Sequence, residues 1–384
     1  MTTPPGGVTK GPGALPVQPT VPEHLAGALL GIDLGALREN YRILKARLGR
    51  AACAGVVKAD AYGLGAAEVA EALAAEGCRS FFVAHIFEAL ELRAVLPRDH
   101  AIFVLNGLPP GAERDSAEAD VTPVLNSLEQ LQAWSDLARR LERPLPAALQ
   151  VDSGMSRLGL SPHEVERLAA TPALLSGVQL VLVMSHLACA DEPDNPVNRL
   201  QRDNFDRLRR MLPAVPASLA NSSGIFLGQD YHHDLARPGA ALYGVNPTPG
   251  DANPMRQVVS LRAKVVQTRE VGDGVGIGYG YASRARTHMR LATISLGYAD
   301  GWHRRGAAAA FHHGARLPFA GRVSMDSIIL DISALPHDAL RPGDLVDLIG
   351  ADQTVDQVAE HAGTIGYEIL TSFGRRFHRH YFGA

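Results

Sequence analysis

Lys58 ends the short apolar run Ala54-Gly55-Val56-Val57-Lys58, and the turn Ala59-Asp60-Ala61-Tyr62-Gly63-Leu64-Gly65 follows it. A lysine in that place is either a solvated loop charge or an amine whose lowered pKa lets it form a Schiff base. Tyr62 and the glycine turn favour the second reading, because a phenol and open backbone can hold a cofactor phosphate. Further polar residues stand at or just past the ends of later apolar runs: His85, Asn106, Asp152 with Arg157, His186, Asn221 with Ser222, and Arg237 with Gly239. Each alone is an ordinary satisfied side chain. Their convergence on one rim is what an active site looks like in sequence.

To converge, those runs must be parallel strands of one closed sheet. Apolar, β-type runs at 53–58, 80–84, 101–105, 121–125, 147–152, 179–185, 217–221 and 235–237 alternate with helical segments such as 36–48, 127–141, 162–170 and 196–212. Eight β/α units in roughly 220 residues predict an α/β chain that begins with a (β/α)8 TIM-type barrel. A doubly wound open sheet is the alternative, but its G-x-G-x-x-G turn is missing after the first strand. Beyond Pro254 the runs 258–268, 289–296, 315–319, 322–332 and 344–349 alternate and are rich in β-branched residues, which predicts a separate C-terminal mostly-β domain. The expected division is a disordered Pro/Gly/Thr-rich tail at 1–27, the barrel at 28–255 and the β domain at 256–384. The glycine run Gly272–Gly280 opens no helix, so it is read as a set of tight turns presenting Tyr279 or Tyr281.

Composition narrows the class. The chain has 384 residues, 46% of them hydrophobic and 20% charged, which suits a globular enzyme with ample core. A formal charge of −3 and the lack of a basic run argue against a nucleic-acid partner. No stretch approaches the ~20 apolar residues of a membrane span, and no signal-peptide core is present, so a cytoplasmic protein is expected. Cys53, Cys78 and Cys189 lie far apart, in neither a disulfide frame nor a zinc pattern, as in a reducing compartment. The histidines at 232–233, 312–313, 378 and 380 lack ligand spacing and are read as solvated, with no metal site.

From about Gly31 to Phe377 the chain resembles the alanine racemases, fold-type III pyridoxal-phosphate enzymes. Val56-Val57-Lys58-Ala59-Asp60-Ala61-Tyr62-Gly63 is similar to the family's cofactor-lysine signature, and Val151-Asp152-Ser153-Gly154-Met155-Ser156-Arg157 to the segment with its active-site arginine. Met184-Ser185-His186, Asn221-Ser222-Ser223-Gly224 and Arg237-Pro238-Gly239-Ala240 match further motifs, as do Gly278-Tyr279-Gly280, Gly297-Tyr298-Ala299-Asp300 and Ser324-Met325-Asp326.

The resemblance implies a racemase that interconverts L- and D-alanine on pyridoxal 5'-phosphate and supplies D-alanine for peptidoglycan. Lys58 and Tyr279 would be two bases on opposite faces of the substrate carbon, with Tyr279 donated by the partner subunit of a homodimer. A free tyrosine, with a pKa of ~10, is a weak base at neutral pH; His186, itself linked to Arg237, is the expected helper. Tyr62, Asn221, Ser222 and the amides of Gly239 and Ala240 would hold the phosphate, and Arg237 would face the pyridine nitrogen. Arg157 and the main chain at Met325 would meet the substrate carboxylate, while Tyr298 and Asp326 would line the mouth of the pocket. One departure stands out: where many members carry a carbamylated lysine that steadies the arginine, this chain has Gln150.

Overall fold

The computed structural model describes residues 21–305 and 308–383. Eight parallel positions form the first layer: β2 (Ala52–Cys53) continuing into β3 (Gly55–Val56), then β4 (Ser80–Val83), β5 (Ala101–Val104), β6 (Thr122–Leu125), β7 (Leu145–Gln150), β8 (Val178–Met184), β9 (Ala217–Ser218) and β10 (Leu235–Ala236). Strands β3 to β9 pair in sequence order. The ring closes through β10, which pairs with β2 in parallel. On its other side the amides of Asp234 and Arg237 donate to Ala217 and Ala220 at 3.0 and 2.9 Å. The expected TIM-type barrel is therefore present, and closure removes the unpaired edges an open sheet would expose.

Local sequence explains the helices between these strands. Ser127 accepts from the Gln130 amide at 3.3 Å, and Ser161 and Glu164 form a reciprocal capping box before helix Pro162–Ala170. Helix Val197–Arg209 buries Phe205 and Leu208 and turns its arginines outward. Inside the barrel, Phe82 stacks on Phe103 at 4.7 Å, and both are buried.

The second layer corrects the expected order. Strand β1 (Ala28–Asp33) lies outside the barrel, between β11 (Val259–Val271), antiparallel, and β19 (His378–Phe382), parallel. Its Leu30 and Ile32 are fully buried in that sheet. The remaining strands are β12 (Gly276–Ile277), β13 (Ser283–Arg284), β14 (Met289–Ile294), β15 (Ala309–His312), β16 (Ala315–Pro318), β17 (Ile328–Asp331) and β18 (Leu345–Ile349). The long strand β11 changes partners between Lys264 and Val265: β18 pairs with Leu261–Lys264 and β14 with Val265–Val271, where an irregularity falls between Val265 and Gln267. Residues 1–20 of the expected tail lie outside the described residues. Residues 21–27 pack on the β layer, where the Val21 carbonyl meets His378 Nδ1 at 2.9 Å and the Glu23 carbonyl accepts from Lys264 Nζ at 2.6 Å.

One core runs through both layers, from Phe82 and Met184 to Leu261 and Leu348. Asn40, fully buried on helix Leu34–Leu48, ties them together. Its Nδ2 donates to the Leu242 and Arg256 carbonyls at 3.1 and 2.8 Å, and its Oδ1 accepts from the Arg256 amide at 2.6 Å. Asn40→Ala leaves three backbone groups without a partner, so a loss of about 2–4 kcal/mol is expected in urea unfolding.

Candidate active site

Lys58 stands two residues beyond β3, and the chain leaves it in an unusual direction. Ala59, Asp60, Ala61 and Tyr62 all have φ between 51 and 58°, which makes one turn of left-handed helix. Left-handed geometry costs roughly 1–2 kcal/mol for each non-glycine residue, so this turn is held from outside. Asp60 Oδ1 accepts from the Ala66 amide at 2.8 Å, and Glu88 Oε1 accepts from the Ala59 amide at 2.6 Å. From the β layer, Arg379 donates to the Gly63 carbonyl at 2.5 Å and the Tyr381 hydroxyl to the Leu64 carbonyl at 3.0 Å. Gly65 leaves room for that hydroxyl, since a Cβ there would come within 2.2 Å of it.

Burial holds the Lys58 amine below its ordinary pKa, Arg157 lowers it further, and Glu88 opposes both. His186, just past β8, is pushed down to about 3, first by burial and then by the charges of Arg237, Arg157 and Lys58. These four residues therefore share one electrostatic field, and the histidine in it is neutral at neutral pH.

Arg237 is buried, and burial lowers its guanidinium to about 9, so it remains charged at neutral pH. It donates to the Ser185 carbonyl at 2.6 Å and to the Ser218 hydroxyl. The expected link from His186 to Arg237 is a through-space charge effect, and the guanidinium's hydrogen bonds go to these two neutral oxygens.

A second corner forms around Ser222. Its hydroxyl accepts from the Gly239 and Ala241 amides at 3.0 and 3.2 Å, rather than leaving Gly239 and Ala240 as the free pair expected. The Ala240 amide opens a short 3-10 helix (Ala240–Tyr243) and has no partner within it. Tyr62 lies against this corner, with its hydroxyl 2.3 Å from where a Cβ on Gly239 would sit. Asn221 Oδ1 accepts from the Gly224 amide at 2.9 Å and fixes the turn that carries Ser222.

Arg157 is exposed on the loop after β7. Asp152 Oδ1 gathers the amides of Gly154, Met155 and Ser156 at 2.9, 2.9 and 3.1 Å, and so shapes that loop. Buried Gln150 donates to the Leu158 carbonyl at 3.1 Å. In place of a negative charge beside the arginine, the chain has a hydrogen bond to the backbone next to it.

Tyr298, Met325 and Asp326 form a separate group on the β layer, and Tyr279 stands on another of its loops, beside Gly321 and Arg322. Tyr279 is 67% exposed and Met325 52%, and Tyr281 and Tyr298 are exposed as well. The Tyr298 and Ala299 amides donate to the Ser324 and Met325 carbonyls, both at 3.0 Å. Arg376 ties the group together, from Nε to Asp300 at 2.6 Å and from a terminal nitrogen to Asp326 at 2.7 Å. Among the described residues, no hydrogen bond or ion pair joins this group to the Lys58 cluster.

Sequence reasoning passed over Glu88, Arg376, Arg379 and Tyr381. Only Glu88 carried a signal, as an acidic residue three positions after His85 at a helix start. His232 corrects the solvated reading: it is buried, with Nε2 2.9 Å from the Ile225 carbonyl. Among the described residues, no group of His, Cys, Asp and Glu is arranged to hold a metal.

Comparison with known proteins matches residues 32–247 to the alanine racemase N-terminal domain and residues 258–381 to the alanine racemase C-terminal domain. A catabolic alanine racemase of Mesorhizobium japonicum is 63% identical, covering 94% of this chain and 95% of that protein. One from Agrobacterium fabrum, also called catabolic, is 55% identical over 93% of this chain and 92% of its own. The crystal structure of alanine racemase from Bartonella henselae with covalently bound pyridoxal phosphate superimposes with a TM-score of 0.89 at 42% identity, covering 93% of this chain and all of that one.

The His186 shift has a stability consequence. Its folded pKa of about 3 lies below the unfolded value of ~6.5. Between the two, the unfolded chain binds a proton that the folded one does not, so stability falls as the pH drops from ~6.5 towards 3. In cofactor-free protein, His186→Gln is expected to flatten that acid limb of urea stability against pH.

Proposed function

The chain belongs to the alanine racemase family, and on that premise we propose that it interconverts L- and D-alanine with pyridoxal 5'-phosphate as cofactor, using Lys58 and Tyr279 as its two bases. The observation that carries this reading is the half-buried amine of lowered pKa in one field with Arg157, His186 and Arg237.

The residues fit the cofactor. The Ser222 hydroxyl accepts two amide bonds, which leaves its own proton free to donate to a phosphate oxygen. The Ala240 amide and the Tyr62 hydroxyl stand beside it, in a space that a side chain at Gly239 would fill. Arg237 has five N–H donors, spends two on Ser185 and Ser218, and offers only donors to a ring nitrogen, which holds that nitrogen unprotonated. When bound, pyridoxal 5'-phosphate supplies a conjugated ring that draws electron density from the Cα–H bond of alanine.

The chain's own groups do the rest. Lys58 Nζ, with its lowered pKa, spends more time as a free base and moves the Cα proton on one face. Tyr279 Oη moves the proton on the other face, with neutral His186 as its hydrogen-bonding helper. Arg157 and the Met325 main chain orient the carboxylate, while Tyr298 and Asp326, braced by Arg376, form the mouth of the pocket.

Tyr279 and Met325 serve this site as parts of a partner subunit, in a homodimer with shared active sites. Their exposure, with that of Tyr281 and Tyr298, supports such an interface, because these large side chains are left uncovered by their own chain. Free cysteines at 53, 78 and 189 support a cytoplasmic setting.

Supply of D-alanine to peptidoglycan is one use of this activity. The two relatives called catabolic favour a second, the breakdown of alanine. A deletion strain separates them: a D-alanine requirement supports the first, and loss of growth on alanine as carbon source supports the second.

Tyr279→Phe is expected to lower racemisation about 10²–10⁴-fold while keeping cofactor absorbance. Mixing it with inactive Lys58→Ala should restore about a quarter of wild-type turnover, because half the random dimers carry one intact site of two. Absence of rescue after subunit exchange would sink the shared-site reading, and absence of D-alanine from L-alanine in the wild type would sink the activity.

A further inference from the structure

We propose that Glu88 is a positioning residue for Lys58, spanning the left-handed turn after that lysine and the start of helix Ile86–Val95. The inference rests on the reading of Lys58 as the cofactor-bearing amine. Glu88 is the third residue of its helix, where an acidic side chain ordinarily caps its own helix. One carboxylate oxygen does that work: Oε2 accepts from the Ala84 and His85 amides at 2.7 and 2.9 Å. The other oxygen is not needed for the cap. Oε1 accepts instead from the amide of Ala59, at 2.6 Å, on the residue directly after Lys58.

That second bond has a structural reason. Ala59 begins the four-residue left-handed turn and is itself exposed, so without Glu88 its amide would face water. The bond attaches the base of the lysine to a second strand–helix unit, beyond the β3 segment that precedes it. The carboxylate also brings a negative charge to an amine that otherwise faces Arg157 and His186, with Arg237 beyond them; on the same helix Glu91 feels the charges of both Asp60 and Glu88.

Glu88→Gln separates the cap from the turn. An amide oxygen can replace Oε2 at the helix start, but its NH2 then faces the Ala59 amide, donor against donor. The full-length protein is stripped of cofactor, and the rate at which it recaptures pyridoxal 5'-phosphate is followed by absorbance across pH. In E88Q the midpoint of that profile is expected to move to lower pH, because the amine loses its negative neighbour. Hydrogen exchange at the Ala59 amide should accelerate. After reloading, kcat should fall about ten- to a hundredfold from the displaced amine, with KM for alanine changing far less. Glu91→Gln removes the same charge from the same helix without touching the turn, and its midpoint should match wild type.

A residue that only caps its helix would lower the melting temperature of E88Q and leave the recapture midpoint and kcat where they were; that result overturns the proposal. Should E88Q fail to fold, hydrogen exchange on wild-type protein still decides, since unprotected exchange at Ala59 also overturns it. Lys58→Ala tests the underlying reading separately: recapture with wild-type absorbance by that variant would remove Lys58 from its role, whatever E88Q does.

Discussion

Four consecutive left-handed residues after Lys58 cannot hold themselves, and much of the molecule is arranged to hold them. Each non-glycine residue in that geometry works against its own Cβ, so the turn survives only while its neighbours supply more than it costs. They come from three directions: Glu88 from the next β/α unit, Asp60 from within, and Arg379 and Tyr381 from β19 at the far end of the chain. The β layer is therefore part of the lysine's support. Its final strand, paired with β1, reaches the first β/α turn directly through Arg379 and Tyr381.

Around that turn the barrel rim concentrates positive charge. Lys58, Arg157 and Arg237 surround a histidine that burial and charge keep neutral, and the oxygens bonded to Arg237 are uncharged. Such a cluster is costly to bury alone and favours an anion with several acceptor oxygens. The Ser222 corner, with a hydroxyl proton and a helix-start amide still available, provides the complementary donors a few residues away. Of these charges, Arg157 also lowers the amine's pKa, after burial.

The exposed loops of the β layer obey a different constraint. Arg376, bridging Asp300 and Asp326, fixes the loops that carry Tyr298 and Met325, although neither is enclosed by its own chain. Ion pairs with a partly exposed partner add little to stability on their own. Here the buried Asp300, which also accepts from the Gly297 amide at 2.9 Å, gives the bridge a rigid anchor. The loops thus keep their shape while exposed.

The sequence alone determined the barrel, the separate run of β strands and the residues at the rim. Apolar period and chain punctuation are local properties that survive without knowledge of the fold. Lys58, His186 and Arg237 were legible for the same reason, each standing just past a strand. Other features were decided only by the tertiary structure. The segment Ala28–Asp33 reads as a buried strand in either layer, because hydrophobic pattern specifies burial and not the partner. The left-handed turn is written in Ala-Asp-Ala-Tyr, residues with no preference for that hand, so contacts from distant elements choose it. The second oxygen of Glu88, the hold of Arg379 on Gly63 and the shift of the amide pair to Gly239 and Ala241 are likewise distances between segments far apart in the chain. Local pattern specifies which residues are buried and how the backbone runs; only the packed chain specifies which of them meet.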